Sequence, residues 1–316
     1  MTHASDRAAT QASAWQVRPR GILAAAPTPL REDLSPDPAA LPALLDLLVA
    51  LGCHGALLLG STGEGPSFTL DERQRVLAAA AGWRAAGSAE GFQLLAGTGC
   101  PALGDSIRAC RDAFELGLDG VLLLPPYYYK PVDDVGLADW FERVVDAAVP
   151  ATGRAYLYHI PRLSGLPISP ALIEGLLSRL PGRLAGIKDS GGDLAASLAS
   201  VARFPELDHF TGCDGHLLRC LEAGGAGAIT ALANLRADLA RAVWEAWQAG
   251  DRPEAEAAQA RLSAARVAFD RYPSVAAVKA MLARLQSQPR WPLRPPLRAL
   301  DAAATEALAE ALRAVP

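Results

Sequence analysis

Lysine is nearly missing from this chain: only Lys130, Lys188 and Lys279 occur among the 30 Lys+Arg residues. Arginine therefore supplies the ordinary surface charge, and each lysine asks for its own explanation. Cysteine is sparse and unpaired in pattern. Cys53, Cys100, Cys110, Cys213 and Cys220 make neither a C-x-x-C pair nor a zinc spacing, which excludes a disulfide framework and leaves reduced, packed residues. No apolar run reaches about 18 residues, so no membrane-spanning helix is expected. Residues 1–19 are polar and alanine-rich, lack the apolar stretch of a secretory signal, and read as a frayed arm. The expected compartment is the cytoplasm. There is no basic block and the net charge is −4, which excludes nucleic acid and anionic membrane as partners.

What is present is a long alternation of short apolar runs with helical patterns. The 316 residues are 51% hydrophobic but only 6% aromatic. Apolar runs at 21–26, 55–59, 92–96, 120–124, 154–158, 184–188, 207–211 and 227–230 read as strands buried on both faces, as in a parallel sheet. Helical patterns lie between them at 39–51, 102–117, 134–148, 169–179, 193–203, 214–223 and 236–249. Another, closing near Ala86, opens at Thr69, where Glu72 three residues on suggests a capping box. Eight such units predict an α/β fold, a (β/α)8 TIM barrel over residues 20–250. A doubly wound sheet is the alternative, but no G-x-G-x-x-G follows the first strand. Past Gly250 only helical patterns remain, at 253–270, 274–286 and 301–314, so 251–316 is expected to be a small C-terminal helical appendage.

In such a barrel, chemistry belongs at the C-terminal ends of the strands. Lys188 ends the sixth strand. It could snorkel into water, or it could be a nucleophile, because a desolvated lysine can lose its proton whereas arginine cannot. Ser61 and Thr62, flanked by Gly60 and Gly63, follow the second strand, and such a turn can bare amides to a carboxylate or phosphate. Tyr127, Tyr128 and Tyr129 follow the fourth strand, and Tyr158 ends the fifth. His159 reads as a hydrogen-bonded structural residue rather than a base. Lys279, on a predicted helix of the appendage, reads as a surface or helix-end cation.

One chemistry uses lysine, tyrosine and an anion-holding hydroxyl loop together. A free lysine titrates near 10.4, so only about four in ten thousand are neutral at pH 7. Lowering that value to about 7 costs about 4.6 kcal/mol, within the reach of desolvation. The amine can then form a Schiff base with a ketone, and the iminium accepts electrons from an adjacent C–C bond. A neighbouring tyrosine can carry the protons.

Four motifs carry a resemblance: Gly-Ser-Thr-Gly-Glu at 60–64, Pro-Tyr-Tyr at 126–128, Tyr-His-Ile-Pro-Arg-Leu-Ser-Gly at 158–165, and Gly-Ile-Lys-Asp-Ser at 186–190. In this order the chain resembles the dihydrodipicolinate synthase/N-acetylneuraminate lyase family of class I pyruvate-dependent aldolases, from about Gly21 to the late 280s. The resemblance implies that Lys188 forms a Schiff base with pyruvate, that Tyr158 shuttles protons, and that Ser61 and Tyr128 complete the relay. Tyr128 would act in a neighbouring subunit's site. Thr62, with Gly60, Gly63, Ile229 and Leu163, would contact substrate. It implies no metal and no organic cofactor, and a homotetramer built as a dimer of dimers.

The synthase commonly has an arginine where Leu163 stands; Arg162, one place earlier, is expected to point differently. Ser61 and Leu163 match the neuraminate lyase pattern, and Gly-Ile-Lys-Asp-Ser-Gly-Gly-Asp at 186–193 resembles aldolases of 2-keto-3-deoxy sugar acids and 4-hydroxy-2-oxoglutarate. Leu70 and Arg73 replace histidines of the synthase's lysine feedback site, so the resemblance gives no expectation of that feedback. The first expectation is cleavage of a 2-keto-3-deoxy sugar acid or 4-hydroxy-2-oxo acid to pyruvate and an aldehyde. The alternatives are 4-hydroxy-tetrahydrodipicolinate synthase (pyruvate plus aspartate semialdehyde), a Schiff-base dehydratase, or an inert barrel that binds a 2-oxo acid.

Overall fold

The computed structural model describes residues 19–316 except Ser88. The expected arm falls almost wholly outside them. Eight parallel strands close on themselves in sequence order: β1 Gly21–Ala25, β2 Gly55–Leu58, β3 Gln93–Gly97, β4 Gly120–Leu123, β5 Ala155–His159, β6 Leu184–Asp189, β7 Asp208–Thr211 and β8 Gly227–Thr230. The last pairs with the first, Gly21 against Gly227 through Ala24 against Thr230. This is the expected (β/α)8 TIM barrel.

Why these short runs make a barrel shows in two apolar layers. Side chains alternate across a strand. On β1, Leu23 and Ala25 point inward, where they meet Leu57, Leu95, Leu122, Tyr156, Phe210 and Ile229. Ile22 and Ala24 point outward into the larger layer between sheet and helices. Each fully buried aliphatic side chain contributes about 1.5–3 kcal/mol to this arrangement.

Helices α1 Leu41–Ala50, α2 Leu70–Ala85, α3 Leu103–Glu115 and α4 Asp134–Ala148 connect the first five strands. Helix α2 opens on the anticipated box: Thr69 and Glu72 satisfy each other's backbone amides. A short helix, α5 Pro161–Ser164, follows β5. Proline at the first helical position has no amide to lose and starts a helix as readily as it ends one.

Helices α6 Pro170–Arg179, α7 Leu194–Arg203, α8 Leu217–Glu222 and α9 Ala233–Gln248 complete the ring. Helix α9 begins three residues before the expected 236, and a non-helical Arg236 (φ −137°, ψ 49°) marks the kink between the two parts. Three further helices follow: α10 Arg252–Phe269, α11 Ser274–Leu285 and α12 Ala302–Arg313. No helix among the described residues is long and apolar enough to cross a membrane.

Candidate active site

Parallel pairing of β5 with β6 sets Tyr158 beside Lys188. Ile187 packs outward among the helices, so alternation turns Lys188 into the barrel mouth. There Lys188 is only 4% exposed, and its Nζ lies 4.3 Å from the centre of the Tyr158 ring. Among the described residues no carboxylate lies within ion-pairing distance of it. Asp189, next in sequence, is occupied elsewhere: its Oδ1 accepts from the Gly191 amide (2.8 Å) and its Oδ2 from Ser197 Oγ (2.6 Å).

The Tyr158 hydroxyl lies 3.5 Å from Ser61 Oγ, which the turn after β2 delivers from across the barrel. Burial pushes the phenol's pKa up, but the Lys188 charge and hydrogen bonding with Ser61, Lys188 and Ser190 more than offset this, and the net direction is down. A phenol so placed releases its proton more readily than a free tyrosine. Ser190 needs room to face it. A side chain at Gly212 would place its Cβ 1.9 Å from Ser190 Oγ, so only glycine fits.

These residues line a cavity of about 410 Å3 at the mouth. Lys188, Tyr158, Ser61, Thr62, Ile229 and Leu163 all lie on its wall. Gly60 and Gly63 shape the turn that carries Ser61 and Thr62. A Cβ on Gly63 would meet Ala26 O and Leu59 N at 2.9 Å, and Thr28 Oγ1 donates to Gly63 O at 2.7 Å. Tyr128 lies apart. It is 74% exposed, stacks edge-on against Tyr129 with centres 5.2 Å apart, and is absent from this wall. His159 accepts the Ile168 amide on Nδ1 at 3.0 Å, and burial, only partly countered by Asp189, lowers its pKa.

Arg162 lines the cavity alongside Leu163, both carried by the short helix α5. One expectation needs correction. Lys279 is no surface cation. It is 2% exposed, and its Nζ donates to Glu64 Oε1 at 2.5 Å and to Pro292 O at 2.8 Å. The other Glu64 oxygen accepts the Arg294 amide at 2.9 Å. Burial lowers the Lys279 pKa, with Glu64 opposing. Glu64 itself sits in the left-handed region at φ 54°, directly after the Gly60–Gly63 turn. The appendage thus grips the loop that carries Ser61 and Thr62.

The appendage also supplies wall residues that sequence reasoning did not find, among them Arg266, Phe269, Asp270 and Ser274. Arg266 donates to Asp214 Oδ2 at 3.0 Å and to Asp270 Oδ2 at 2.8 Å, and Thr230 Oγ1 donates to Asp214 Oδ1 at 2.7 Å. Burial raises the Asp214 pKa while Arg266 works against it. Burial also opposes the Arg266 charge, but its two carboxylate partners outweigh that and keep the guanidinium charged.

Comparison with known proteins places the chain in a family. The family model described as the dihydrodipicolinate synthetase family matches residues 18–315. A DapA-like lyase of Chloroflexus aurantiacus is 42% identical over 284 residues, covering 90% of this chain and 92% of the relative. A 4-hydroxy-tetrahydrodipicolinate synthase of Methanoculleus marisnigri is 32% identical, covering 92% and 98%. Among solved structures, YagE of E. coli K12 in complex with pyruvate superposes with TM-score 0.85 at 27% identity, covering 94% of this chain and 98% of that one. With its closed barrel and its Lys188–Tyr158–Ser61 cluster, this chain belongs to the dihydrodipicolinate synthetase family of lyases.

Proposed function

We propose that this lyase makes or breaks a C–C bond through a Schiff base between Lys188 and the ketone carbon of pyruvate. The observation that carries the reading is a buried amine, free of carboxylate partners among the described residues, facing a proton-donating tyrosine inside a substrate-sized cavity. The pyruvate complex named for the E. coli relative supports the ketone component.

In the cleavage direction, Lys188 Nζ attacks C2 of a 4-hydroxy-2-oxo acid, and water leaves as the iminium forms. Tyr158, as phenolate, takes the C4 hydroxyl proton. The C3–C4 bond breaks, its electron pair moves into the iminium to give an enamine, and an aldehyde departs. Protonation at C3 and attack by water release pyruvate and restore the amine. Ser61 links Tyr158 to the proton path. Thr62 and the amides of its turn hold the carboxylate, as bared amides do for anions.

Leu163 at the mouth supports the class of 2-keto-3-deoxy and 4-hydroxy-2-oxo acids. Arg162 beside it supports a second reading, condensation of pyruvate with a carboxylate-bearing aldehyde such as aspartate semialdehyde. The exposed Tyr128 is assigned to a neighbouring subunit's site in a cytoplasmic homotetramer.

The test is reduction with borohydride in the presence of pyruvate, followed by peptide mass spectrometry. The expected result is a reduced pyruvate adduct on Lys188. An adduct on another residue, or none while pyruvate binds, overturns the Schiff-base assignment.

A further inference from the structure

His159 follows Tyr158 in sequence but does not line the cavity. Its half-buried ring lies behind the wall, between two loops that do line it. One is the segment 160–168, which leaves β5, forms α5 and returns. It brings Ile160, Arg162 and Leu163 to the wall. The other is the turn after β6, which brings Ser190, Gly191 and Gly192.

The ring meets both loops. Nδ1 accepts the Ile168 amide at 3.0 Å and so closes the segment at its neck. Inside the segment, Ser164 Oγ accepts the Leu166 amide at 3.2 Å. On the far side, a Cβ at Gly191 would come within 2.8 Å of Nε2, so the turn rests directly on the ring. The main chain adds a third tie, the Ser190 amide donating to His159 O at 2.8 Å. Burial, with the Asp189 charge opposing, lowers the imidazole pKa. The ring is therefore neutral, and because Nδ1 accepts, Nε2 carries the proton.

Both loops shape the surroundings of the catalytic phenol. Ile160 packs with Tyr158 in the inner apolar layer, and Ser190 hydrogen-bonds with the Tyr158 hydroxyl. Ile168 is 6% exposed, so its amide has no ready water to replace Nδ1. Without that acceptor the segment must shift to find another, and Ile160 moves with it. A small displacement of a proton-transfer group lowers its rate steeply.

We propose that His159 is a positioning residue of the proton relay: its Nδ1 clasps the segment 160–168 to the end of β5, and the ring thereby holds Ile160 and the Ser190 turn in place around Tyr158. The proposal rests on the Lys188 Schiff-base reading and adds to it a residue that acts through Tyr158 without touching substrate.

The experiment follows exchange of the pyruvate methyl hydrogens with D2O by proton NMR, which needs no aldehyde. In the Lys188-bound iminium the C3–H bond breaks, its electron pair gives the enamine, and the proton passes to the Tyr158 oxygen. A deuteron from solvent returns to C3, and water releases labelled pyruvate. His159→Leu fills similar space with no acceptor, and His159→Gln moves the acceptor one bond outward. Each should lower the saturated exchange rate about tenfold or more while half-saturating pyruvate stays within about threefold of wild type. His159→Asn, which offers an oxygen at the Nδ1 position, should restore the rate to within about threefold. In a Tyr158→Phe background, His159→Leu should add little, because its effect passes through the phenol.

Circular dichroism confirms which variants are folded, and His159→Gln carries the test if His159→Leu is not. Near wild-type exchange in the folded Leu or Gln variant, an Asn variant as slow as either, a change confined to half-saturation, or a full further loss in the Phe background overturns the positioning role and leaves the Schiff base standing. Borohydride trapping of pyruvate on the wild type is run in parallel. Absence of the Lys188 adduct there overturns the chemistry beneath, and this role with it.

Discussion

Lys188 and Lys279 are both buried, at 4% and 2% exposure, yet the protein treats them in opposite ways. Lys279 is saturated: a carboxylate and a backbone carbonyl take its hydrogens, and its charge holds a loop. Lys188 has an aromatic face and hydroxyl neighbours but no carboxylate among the described residues. A buried cation with its counter-ion is a fastening; a buried amine without one is available for chemistry. Burial alone therefore does not mark a nucleophile. What surrounds the amine does.

That contrast can be broken most sharply at Lys188. Lys188→Ala is expected to abolish turnover and adduct formation while the circular dichroism spectrum and melting temperature stay near wild type; surviving turnover would remove the nucleophile from Lys188. Next in size, Tyr158→Phe should slow turnover by about 10²–10⁴-fold, the range for lost acid–base help. A rate within twofold of wild type would deny the phenol its proton role.

Lys279→Met should behave the other way round. It leaves Glu64 charged, buried and short of its cation, and is expected to cost about 3–5 kcal/mol in denaturant unfolding. The folded fraction should still trap pyruvate on Lys188. Adding Glu64→Gln should recover much of that loss, and a double variant no more stable than the single one would show that the pair is not coupled.

The smallest effect concerns the strap beside this pair. Hydrogen bonding from Arg294 leads the causes that hold the Glu72 pKa down at about 2 against an ordinary 4.5, with burial opposing. A carboxyl depressed on folding stabilises above its unfolded value and loses that contribution as pH falls toward the folded one. Between pH 5 and pH 2 the wild-type melting temperature should thus fall about 2–4 °C further than that of Glu72→Gln. Parallel falls in the two proteins would mean that the strap contributes nothing to acid stability.

Much of the site was legible because the barrel puts it at strand ends. Once the alternation of apolar runs is read, Lys188, Tyr158 and Ser61 fall on one face by position, and the structure brings them together on one cavity wall. Ser190 belongs to a sequence motif, but that it faces Tyr158 depends on Gly212 in the next loop, which no local pattern shows. Arg266, Asp270 and Ser274 were hidden for a different reason. Their helices read as a separate addition, and nothing in a local pattern shows that such an addition folds back over the mouth. The Lys279–Glu64 pair spans 215 residues, a separation at which periodicity and capping carry no information.

The grip on Glu64 also sets an order of events. Its two fastenings come from Lys279 and Arg294, the latter 230 residues downstream. During synthesis, every strand of the barrel has left the ribosome before either of them emerges. A nascent chain can therefore close its sheet while the turn bearing Ser61 and Thr62 still lacks its anchor, and that turn reaches its final form only when Lys279 and Arg294 arrive.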